Sequence, residues 1–431
     1  MRLPTPRADR SEDRAQVVAW VREHLGHLSS DEVRASPVRG GQTAADTALA
    51  TLDLTGYAAR RSNVLPESSR GASRLSPYIR HGLLTLPAVW DAAGSAPSRD
   101  RDKFRDELLW QEYSRHVYAR VGAANGAPLR FEAPVPAPGS APPAPPVSPE
   151  DPWPRQMACM DATTTELREN GWLVNQTRMW LASQWAVRAG ADWRRGEDEM
   201  FRNLLDGSRA ANRLGWQWAI GTGTGRVYGF SRWQVEKRAP QLCAGCALRE
   251  ACPVQDWPEA QSGPKVDGPD TLGGGQVDEG QTDGGPEHPV LTGEPEAVWL
   301  TAESLGDADP ALSAHPDLPA VFVLDEPLLR SLRLSGKRLV FLTEALADIG
   351  EARPLEVHLG DPVTELAGRP LATTWAYVPG FKRRSAQLDV VALHPWPWLR
   401  RPGSGSLRSF SAWAGRPSRP RPARKSGGRR R

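Results

Sequence analysis

Three neighbouring stretches of sequence decide the fold: residues 170–179 (NGWLVNQTRM), 192–197 (DWRRGE) and 205–219 (LDGSRAANRLGWQWA). They overlap helix-favouring sequence at 161–189 and 196–214, where strand-like alternation is scarce. They also carry several of the 17 tryptophans, an excess over 6 tyrosines and 8 phenylalanines. Core packing is the default role of tryptophan, although such an excess also suits a function beyond packing.

The rest of the first 258 residues is also predicted to be α-helical. Residues 13–28 place apolar side chains at helical spacing, and helix-favouring sequence continues over 42–54, 77–92 and 101–121. Residues 134–152 hold nine prolines and cannot be helical, so we interpret them as a proline-rich insertion. The sequence therefore predicts one α-helical domain over 1–258.

A different pattern follows this domain. Residues 259–295 are rich in glycine, aspartate and glutamine, which predicts a flexible linker. Short apolar runs at 297–300, 320–324 and 355–359 predict strands, and a helical run at 337–348 separates the last two. A small parallel α/β domain is expected over 296–400.

The last part of the chain, 401–431, is predicted to be a basic disordered tail. Residues 416–431 hold eight Lys or Arg and no acid, so the remainder has 46 basic residues against 51 acidic ones. Such a tail can add salt-dependent affinity for nucleic acid, or it can simply keep the protein in solution.

Length and composition exclude some classes of protein. No stretch approaches 18 apolar residues, so no membrane span is expected, and the first residues lack the apolar core of a secretion signal. Four cysteines in 431 residues do not make a disulfide scaffold. We therefore expect a cytoplasmic protein without membrane partners.

One upstream motif has the chemistry of an anion site. In residues 71–78 (GASRLSPY), Ser76 and Pro77 predict a helix start at which Ser76 is the cap. The glycine and serine before it leave backbone N–H groups and hydroxyls free to hold an anion at the positive helix end. Most capped helices bind nothing, so this motif alone is weak.

Taken together, these motifs closely resemble the FAD-binding domain of the DNA photolyase and cryptochrome family. The resemblance extends over about residues 40–235 and includes 107–113 (ELLWQEY), which is similar to the substrate-side helix of that family. It implies a mainly α-helical, FAD-binding domain of photolyase type. It also implies FAD contacts by the following residues: Tyr57, Ser73, Leu75, Ser76, Arg178, Asp206, Ser208 and Asn212.

Within that set, the resemblance implies that Arg178 and Asp206 form a buried pair beside the flavin and that Asn212 faces flavin N5. A buried aspartate is tolerable where an arginine neutralises it. The alternative is a pair that only joins two helices. Ser208 stands where an aspartate is common in the family.

The resemblance also implies a substrate site formed by Glu107, Trp110, Asn175 and Met179, which match positions that contact a pyrimidine dimer. A flipped dimer needs an aromatic wall and polar groups for its base edges. The same residues could instead be retained core packing. Val174 replaces a histidine that (6-4) photolyases need, which argues against that lesion.

Trp216 and Trp193 match the inner members of the family's electron-transfer chain to the flavin; the outermost member is not placed, and Trp153 is the nearest candidate. Each of these tryptophans could instead be plain core.

The four cysteines suggest a metal centre. Cys243, Cys246 and Cys252 follow a Cys-x2-Cys-x5-Cys spacing, and Cys159 is the remaining one. Four thiolates suit a [4Fe–4S] cluster or zinc, and unliganded thiols are the third alternative. The layout is similar to that of iron–sulfur bacterial cryptochromes and photolyases, although the final spacing is shorter.

The carboxy-terminal α/β domain is similar to the Rossmann-like antenna domain of the family, which elsewhere precedes the FAD domain. A circular permutation is therefore expected, with an unrelated α/β domain as the alternative. Residues 301–305 replace a segment that is usually basic, so the antenna chromophore is left open.

The resulting functional hypothesis is blue-light-driven, FAD-dependent repair of cyclobutane pyrimidine dimers, with UV-damaged DNA as partner. The alternatives are a cryptochrome-like photoreceptor or redox flavoprotein, and a DNA-binding flavoprotein without photochemistry.

Overall fold

The computed structural model describes residues 1–7, 14–136, 152–258, 260–261, 263–273 and 284–415. In this part of the chain the helices of the first half are α1 (Ala15–Leu25), α2 (Gln42–Ala50), α3 (Tyr57–Arg60), α4 (Ser76–Arg80), α5 (Leu86–Ala92), α6 (Ser98–Val121), α7 (Ala158–Asn170), α8 (Asn175–Ala182), α9 (Trp193–Asn203), α10 (Arg209–Ile220) and α11 (Arg232–Arg238). A π-helical turn, Ser183–Arg188, continues α8.

The second half contributes six further helices: α12 (Pro310–Ala314), α13 (Glu326–Leu332), α14 (Gly336–Ala352), α15 (Pro362–Glu365), α16 (Pro379–Ser385) and α17 (Phe410–Trp413). The strands of the described chain are β1 (Arg2–Leu3), β2 (Val135–Pro136), β3 (Ala260–Gln261), β4 (Val290–Leu291), β5 (Ala297–Leu300), β6 (Ala320–Asp325), β7 (Leu355–Gly360), β8 (Leu371–Thr374) and β9 (Val390–His394).

Seven of these strands form one sheet in the order β1-β7-β6-β5-β8-β9-β4, and β2 pairs separately with β3. The five central strands are parallel, while β1 and β4 join the two edges antiparallel. The longest register runs from Ala320 opposite Leu355 to Asp325 opposite Gly360. The chain reverses direction across the sheet between β5 and β8, as in doubly wound folds.

The apolar runs of β5 and β6 are buried on both faces, as parallel strands between helices require, whereas β7 buries every second residue. On β5, Val298 and Leu300 pack in the same core cluster as Phe341 of α14, whereas Trp299 packs with Trp375 on the opposite face. The predicted strands and the predicted helix over 337–348 are all present. The predicted fold class, a mainly helical domain followed by a small α/β domain, is confirmed.

The first residues of the chain pack against this sheet. Strand β1 pairs with β7, and Val21 of α1 lies in the same core cluster as Val340 of α14. Arg14 donates from Nη2 to Glu344 Oε2 at 2.7 Å in a buried ion pair. The domain boundary at 258 stays a prediction, but β1 and α1 contribute to the α/β core that follows it.

Two expectations about irregular chain differ from the structure. Strand β4 lies within the expected flexible linker and pairs with β9. Residues 401–415 are ordered rather than disordered, because α17 packs its aromatic side chains on α6. Most of the proline-rich insertion (137–151), residues 274–283 and the basic residues 416–431 lie outside the described residues. In the described chain, every helix is too short or too polar to cross a membrane.

Candidate functional site

The first group of candidate residues lies around α3. Asp100 on α6 accepts hydrogen bonds from the backbone of Gly56, at 2.9 Å, and of Ala58, at 2.7 Å, and so fixes the start of α3. Tyr57 is thereby buried edge-on against Phe104, with ring centroids 5.1 Å apart. Burial raises the pKa of the Tyr57 hydroxyl above its usual range, so this side chain stays neutral.

The segment 71–76 lies directly beside α3. The backbone N–H of Gly71 donates to the carbonyl of Arg60 at 3.1 Å. A Cβ at position 71 would lie only 2.8 Å from the Cβ of Arg60, so a glycine is needed there. Ser73 accepts a weak bond from the N–H of Leu75 at 3.5 Å, and Leu75 is fully buried. Ser73 and Ser76 are both partly exposed. The segment thus keeps two hydroxyls near the surface at the start of α4.

Ser76 is not the helix cap that the sequence predicts. The residue before α4 is Leu75, without a side-chain cap, and Ser76 is the first helical residue. Its hydroxyl instead accepts a hydrogen bond of 3.2 Å from Nε1 of Trp172. Arg74, in the left-handed region with φ 58°, places its guanidinium 5.3 Å from the centre of the same indole. Trp172 therefore joins the segment 71–76 to the motif at 170–179.

The central pair of the site is Arg178 and Asp206. Arg178 donates from Nη2 to Asp206 Oδ2 at 2.8 Å and from Nε to the carbonyl of Leu173 at 3.1 Å. The turn that carries Asp206 is held by Leu205, which donates its N–H to Gly171 at 2.8 Å. The predicted pair therefore exists, and it ties α8 to the turn before α10.

Asp206 and Asn212 each keep one buried polar atom without a hydrogen-bond partner in the described part of the chain: Oδ1 of Asp206 and Nδ2 of Asn212. Leaving such atoms unpaired costs about 1–3 kcal/mol each, so they indicate a missing partner. A flavin ring offers both donors and acceptors along its edge. These two orphaned atoms, six residues apart in the sequence, therefore fit FAD as the missing group.

Ser208 precedes α10 with an extended backbone and makes no side-chain cap. Beside it, Gly207 accepts hydrogen bonds from two arginines: Arg80 on α4, at 2.9 Å, and Arg338 on α14, at 2.6 Å. Burial lowers the pKa of Arg338 to about 9, with Arg80 adding to the effect. Sequence reasoning missed Arg338; the only signal was a Lys-Arg pair at the start of an otherwise apolar run.

Three buried tryptophans form a contiguous row from α10 toward the proline-rich insertion. The ring centroids of Trp216 and Trp185 are 6.5 Å apart, and those of Trp185 and Trp153 are 4.8 Å apart. Trp193 is buried in the same core cluster, and Trp185 donates from Nε1 to the neighbouring Asp192 carbonyl at 2.8 Å. Sequence reasoning did not single out Trp185, because local spacing gives no sign of which tryptophans meet.

The residues expected at a substrate site do not all make contacts with one another. Glu107 is about one third exposed and pairs with Lys103 at 2.7 Å and Arg61 at 3.2 Å. Trp110, one turn further along α6, stacks flat on Phe410 of α17. The other two expected residues lie on α8, where Asn175 is exposed and Met179 is partly buried.

The four cysteines, by contrast, line one common recess at α7 and the loop after α11. Burial raises the pKa of the Cys159 thiol to about 12 and that of Cys243 to about 11. Among the described residues, no group of three His, Cys, Asp or Glu has the geometry of a site for one metal ion. The donor set is nevertheless four thiols around one recess, and thiolates are the ligands of iron–sulfur clusters and of structural zinc.

At the carboxyl ends of β5 and β8, where doubly wound sheets bind ligands, the polar groups bond to one another. Asp309 accepts from Thr374 Oγ1 at 2.9 Å and from the N–H groups of Ala311 and Leu312 at 3.0 and 3.1 Å. The turn at Gly82 also lies close by, because a Cβ there would be 2.2 Å from the Glu303 carbonyl.

Comparison with known proteins places a family match on the central part of this site. Residues 157–240 match a family model described as the FAD binding domain of DNA photolyase. The chain is 28% identical over 223 residues to the deoxyribodipyrimidine photo-lyase of Synechococcus sp., a match that covers 46% of this chain and 42% of that protein. It is 34% identical over 187 residues to a deoxyribodipyrimidine photo-lyase of Thermus thermophilus, a match that covers 39% of each. The chain spans about two fifths of these relatives' length.

Two solved structures show more distant similarity. A bacterial class III photolyase from Agrobacterium tumefaciens is 26% identical with a TM-score of 0.35, over 41% of this chain and 37% of that one. A Synechocystis sp. cryptochrome is 20% identical with a TM-score of 0.39, over 50% of this chain and 45% of that one.

Proposed function

The chain belongs to the photolyase/cryptochrome family through its FAD-binding segment, and on that premise we propose that it repairs cyclobutane pyrimidine dimers in DNA with FAD and blue light. Bound in its reduced form, FAD supplies the electron that splits the dimer and takes it back. The chain's own residues have to hold the flavin, receive the flipped dimer and keep water from both.

The observation that carries this proposal is the pair of orphaned polar atoms at Asp206 and Asn212, beside the ion pair with Arg178. Asp206 is 5% exposed in its side chain, so its charge needs Arg178. The neutral amide of Asn212 can donate a hydrogen bond without releasing a proton. In our proposal, these three side chains bind the polar edge of the flavin.

The phosphate end of FAD would lie at the segment 71–76. Ser73 and Ser76 offer hydroxyl groups there, and Tyr57 closes the apolar side next to Leu75. Arg74 is half-exposed in its side chain and supplies a positive charge at the same place. Both hydroxyl oxygens accept hydrogen bonds within the protein, so their O–H groups can donate, and O–H donors beside a positive charge suit a pyrophosphate.

We assign dimer recognition to Glu107, Trp110, Asn175 and Met179. Trp110 would stack on one face of the dimer, because base–aromatic stacking is the usual way to hold an extruded base. Glu107 would accept a hydrogen bond from a base N–H, which requires it to give up one of its present cations, Arg61 or Lys103. Asn175 and Met179 would supply a polar and an apolar contact from α8.

Trp216 and Trp193 are proposed to carry electrons that reduce oxidised FAD, and the ring contacts of Trp216 with Trp185 support adding Trp185 to that route.

We further propose that Cys159, Cys243, Cys246 and Cys252 hold a [4Fe–4S] cluster, with zinc as the alternative metal. Burial raises the pKa of the Cys252 thiol, and the charges of Arg232 and Arg188 oppose that shift. Their positive charges would offset part of the negative charge of four thiolates.

A cryptochrome-like photoreceptor is the second candidate, and one observation favours it: Phe410 covers Trp110. Equilibrium binding in the dark separates the two. Repair predicts that the FAD-loaded protein binds an oligonucleotide with one thymine dimer more tightly than the undamaged oligonucleotide. Trp110→Ala should lose that preference, whereas Trp233→Ala, at an indole that is 63% exposed, should keep it. Equal binding of both oligonucleotides would favour the photoreceptor.

A further inference from the structure

The ring of Phe410 stacks on the ring of Trp110. The two centroids are 4.0 Å apart and the planes differ by 9°, a face-to-face stack. Tyr113 meets Phe410 edge-on at 5.8 Å, and Phe410 is itself buried. Offset or edge-on contacts are the usual arrangement of aromatic pairs in cores, and a parallel stack is the arrangement of a base on an aromatic side chain.

Residues 407–414, which we name the docked segment, are fastened to one face of α6. Tyr113 donates from its hydroxyl to the carbonyl of Leu407 at 2.7 Å, in a buried bond. Two turns of α6 are involved, because Trp413 donates from Nε1 to Nδ1 of His116 at 2.8 Å. Leu407 also donates its N–H to Leu272 at 2.9 Å. The segment is thus held by directional bonds at both ends of the stack.

The chain just before the docked segment is tied to the same helix. Arg400 donates its N–H to Glu112 Oε1 at 2.9 Å, and its carbonyl is 2.7 Å from Nε2 of His116. Because an indole N–H can only donate, Nδ1 of His116 must accept from Trp413. Nε2 then carries the proton and donates to Arg400. His116 is therefore neutral, and it connects Arg400 to Trp413 of the docked segment.

We propose that the docked segment competes with damaged DNA for Trp110, with Phe410 in the position of a stacked pyrimidine. The inference rests on the proposed function, since it takes Trp110 to be the surface for the dimer. The basic residues 416–431 follow the docked segment directly, so the phosphates that attract them approach the segment as well. DNA binding and release of the segment would then favour each other.

The consequence for affinity is quantitative. If only a fraction of the molecules exposes Trp110, the apparent Kd for the dimer rises by the inverse of that fraction. Removing the Phe410 ring makes the docked state less stable, relative to the released state, by the free energy that one aromatic stack contributes. We therefore expect Phe410→Ala to lower the Kd between about twofold and about tenfold.

The test is dark binding of a fluorescent oligonucleotide with one thymine dimer by full-length, FAD-loaded protein. Phe410→Ala should bind more tightly than wild type, and Phe410→Leu, which keeps an apolar side chain but no flat ring, should lie between them. Ser411→Ala is the matched control, because Ser411 is exposed in the same segment and should leave the Kd unchanged.

A second measurement does not depend on DNA affinity. Trypsin should cut after Arg408, an exposed residue of the docked segment, faster in Phe410→Ala than in Ser411→Ala. Saturating dimer-containing oligonucleotide should speed the same cut in wild type. If the oligonucleotide instead slows cleavage after Arg408, the proposed competition is wrong. It is also wrong if wild type and all variants bind the dimer with equal Kd values. If neither wild type nor Phe410→Ala binds the dimer at all, the proposed function and this inference both fail.

Discussion

Arg178 and Asp206 are joined by a hydrogen bond of 2.8 Å from Nη2 to Oδ2, and the second carboxylate oxygen of Asp206 is buried without a hydrogen-bond partner among the described residues. The pair connects α8 to the turn before α10. The orphaned oxygen leaves Asp206 able to accept one more hydrogen bond, which a bound ligand could donate.

Asp206→Ala should therefore reduce both stability and FAD content. It removes a hydrogen bond between charged groups and leaves Arg178 without its carboxylate, which we expect to lower the free energy of unfolding by about 2–3 kcal/mol. Urea unfolding and the FAD-to-protein ratio of the purified protein measure the two effects. Glu326→Ala is the control, since it removes the exposed pair with Arg330 and should cost less than about 1 kcal/mol with FAD content unchanged. Full FAD content in Asp206→Ala would contradict the assignment.

Electron transfer to the flavin should depend on Trp216 and on Trp185. Replacing either one by phenylalanine removes an oxidisable ring from the row but keeps an aromatic side chain of similar shape. We expect photoreduction of oxidised FAD to be abolished in Trp216→Phe and strongly slowed in Trp185→Phe. Trp299→Phe, in the sheet and stacked on Phe381, should reduce FAD at the wild-type rate. Normal photoreduction in Trp216→Phe would exclude this route.

Glu112 should make stability depend on pH near neutrality. Burial raises its pKa to about 7, above the ordinary value of 4.5. The folded state then binds more protons than the unfolded state between these values, so stability falls as pH rises from about 4.5 to about 7. Glutamine does not titrate, so Glu112→Gln should not lose stability over this pH range.

Compared with wild type, Glu112→Gln should have similar stability at pH 5 and gain up to about 3 kcal/mol at pH 8, measured by urea unfolding. The comparison of the two proteins cancels the opposite contribution of His116, whose pKa is lowered to about 4 by burial. A constant difference between pH 5 and pH 8 would show that Glu112 titrates normally.

The thiol recess predicts iron and acid-labile sulfide in protein that is purified without oxygen. Cys252→Ser should lose both and keep FAD, because the recess and the Arg178–Asp206 pair are separate sites. Met157→Leu, which alters the same recess without removing a thiol, should keep the iron. One zinc per chain without sulfide would show that the thiols bind zinc instead of a cluster. Absence of both iron and zinc from every preparation would contradict a metal site.

Sequence patterns predicted the elements whose burial is decided locally. The short apolar runs of β5, β6 and β7 and the apolar run of α14 stand out in the local sequence, because burial of each follows from its own side chains. The same reasoning failed at Ser76, where a serine-proline start normally means a cap. A distant indole, Trp172, takes the hydroxyl instead.

Contacts between distant segments were beyond the reach of sequence. The order of residues 401–415 comes from the stack of Phe410 on Trp110, about 300 positions away, which composition could not indicate. The hydrogen bond from Arg338 to the carbonyl of Gly207 also joins segments that are far apart in the sequence, so local patterns could not predict it. The roles of the candidate site residues stay predictions, and the orphaned atoms of Asp206 and Asn212 are the structural support for them.

The most direct test of the account is light-driven splitting of a thymine dimer in a single-stranded oligonucleotide by reduced, FAD-loaded protein. We expect intact thymines to appear under blue light and not in the dark. Glu107→Ala should lower the yield per absorbed photon, and Trp233→Ala should match wild type. No splitting by wild type whose spectrum shows reduced FAD would contradict repair and leave the photoreceptor as the better explanation.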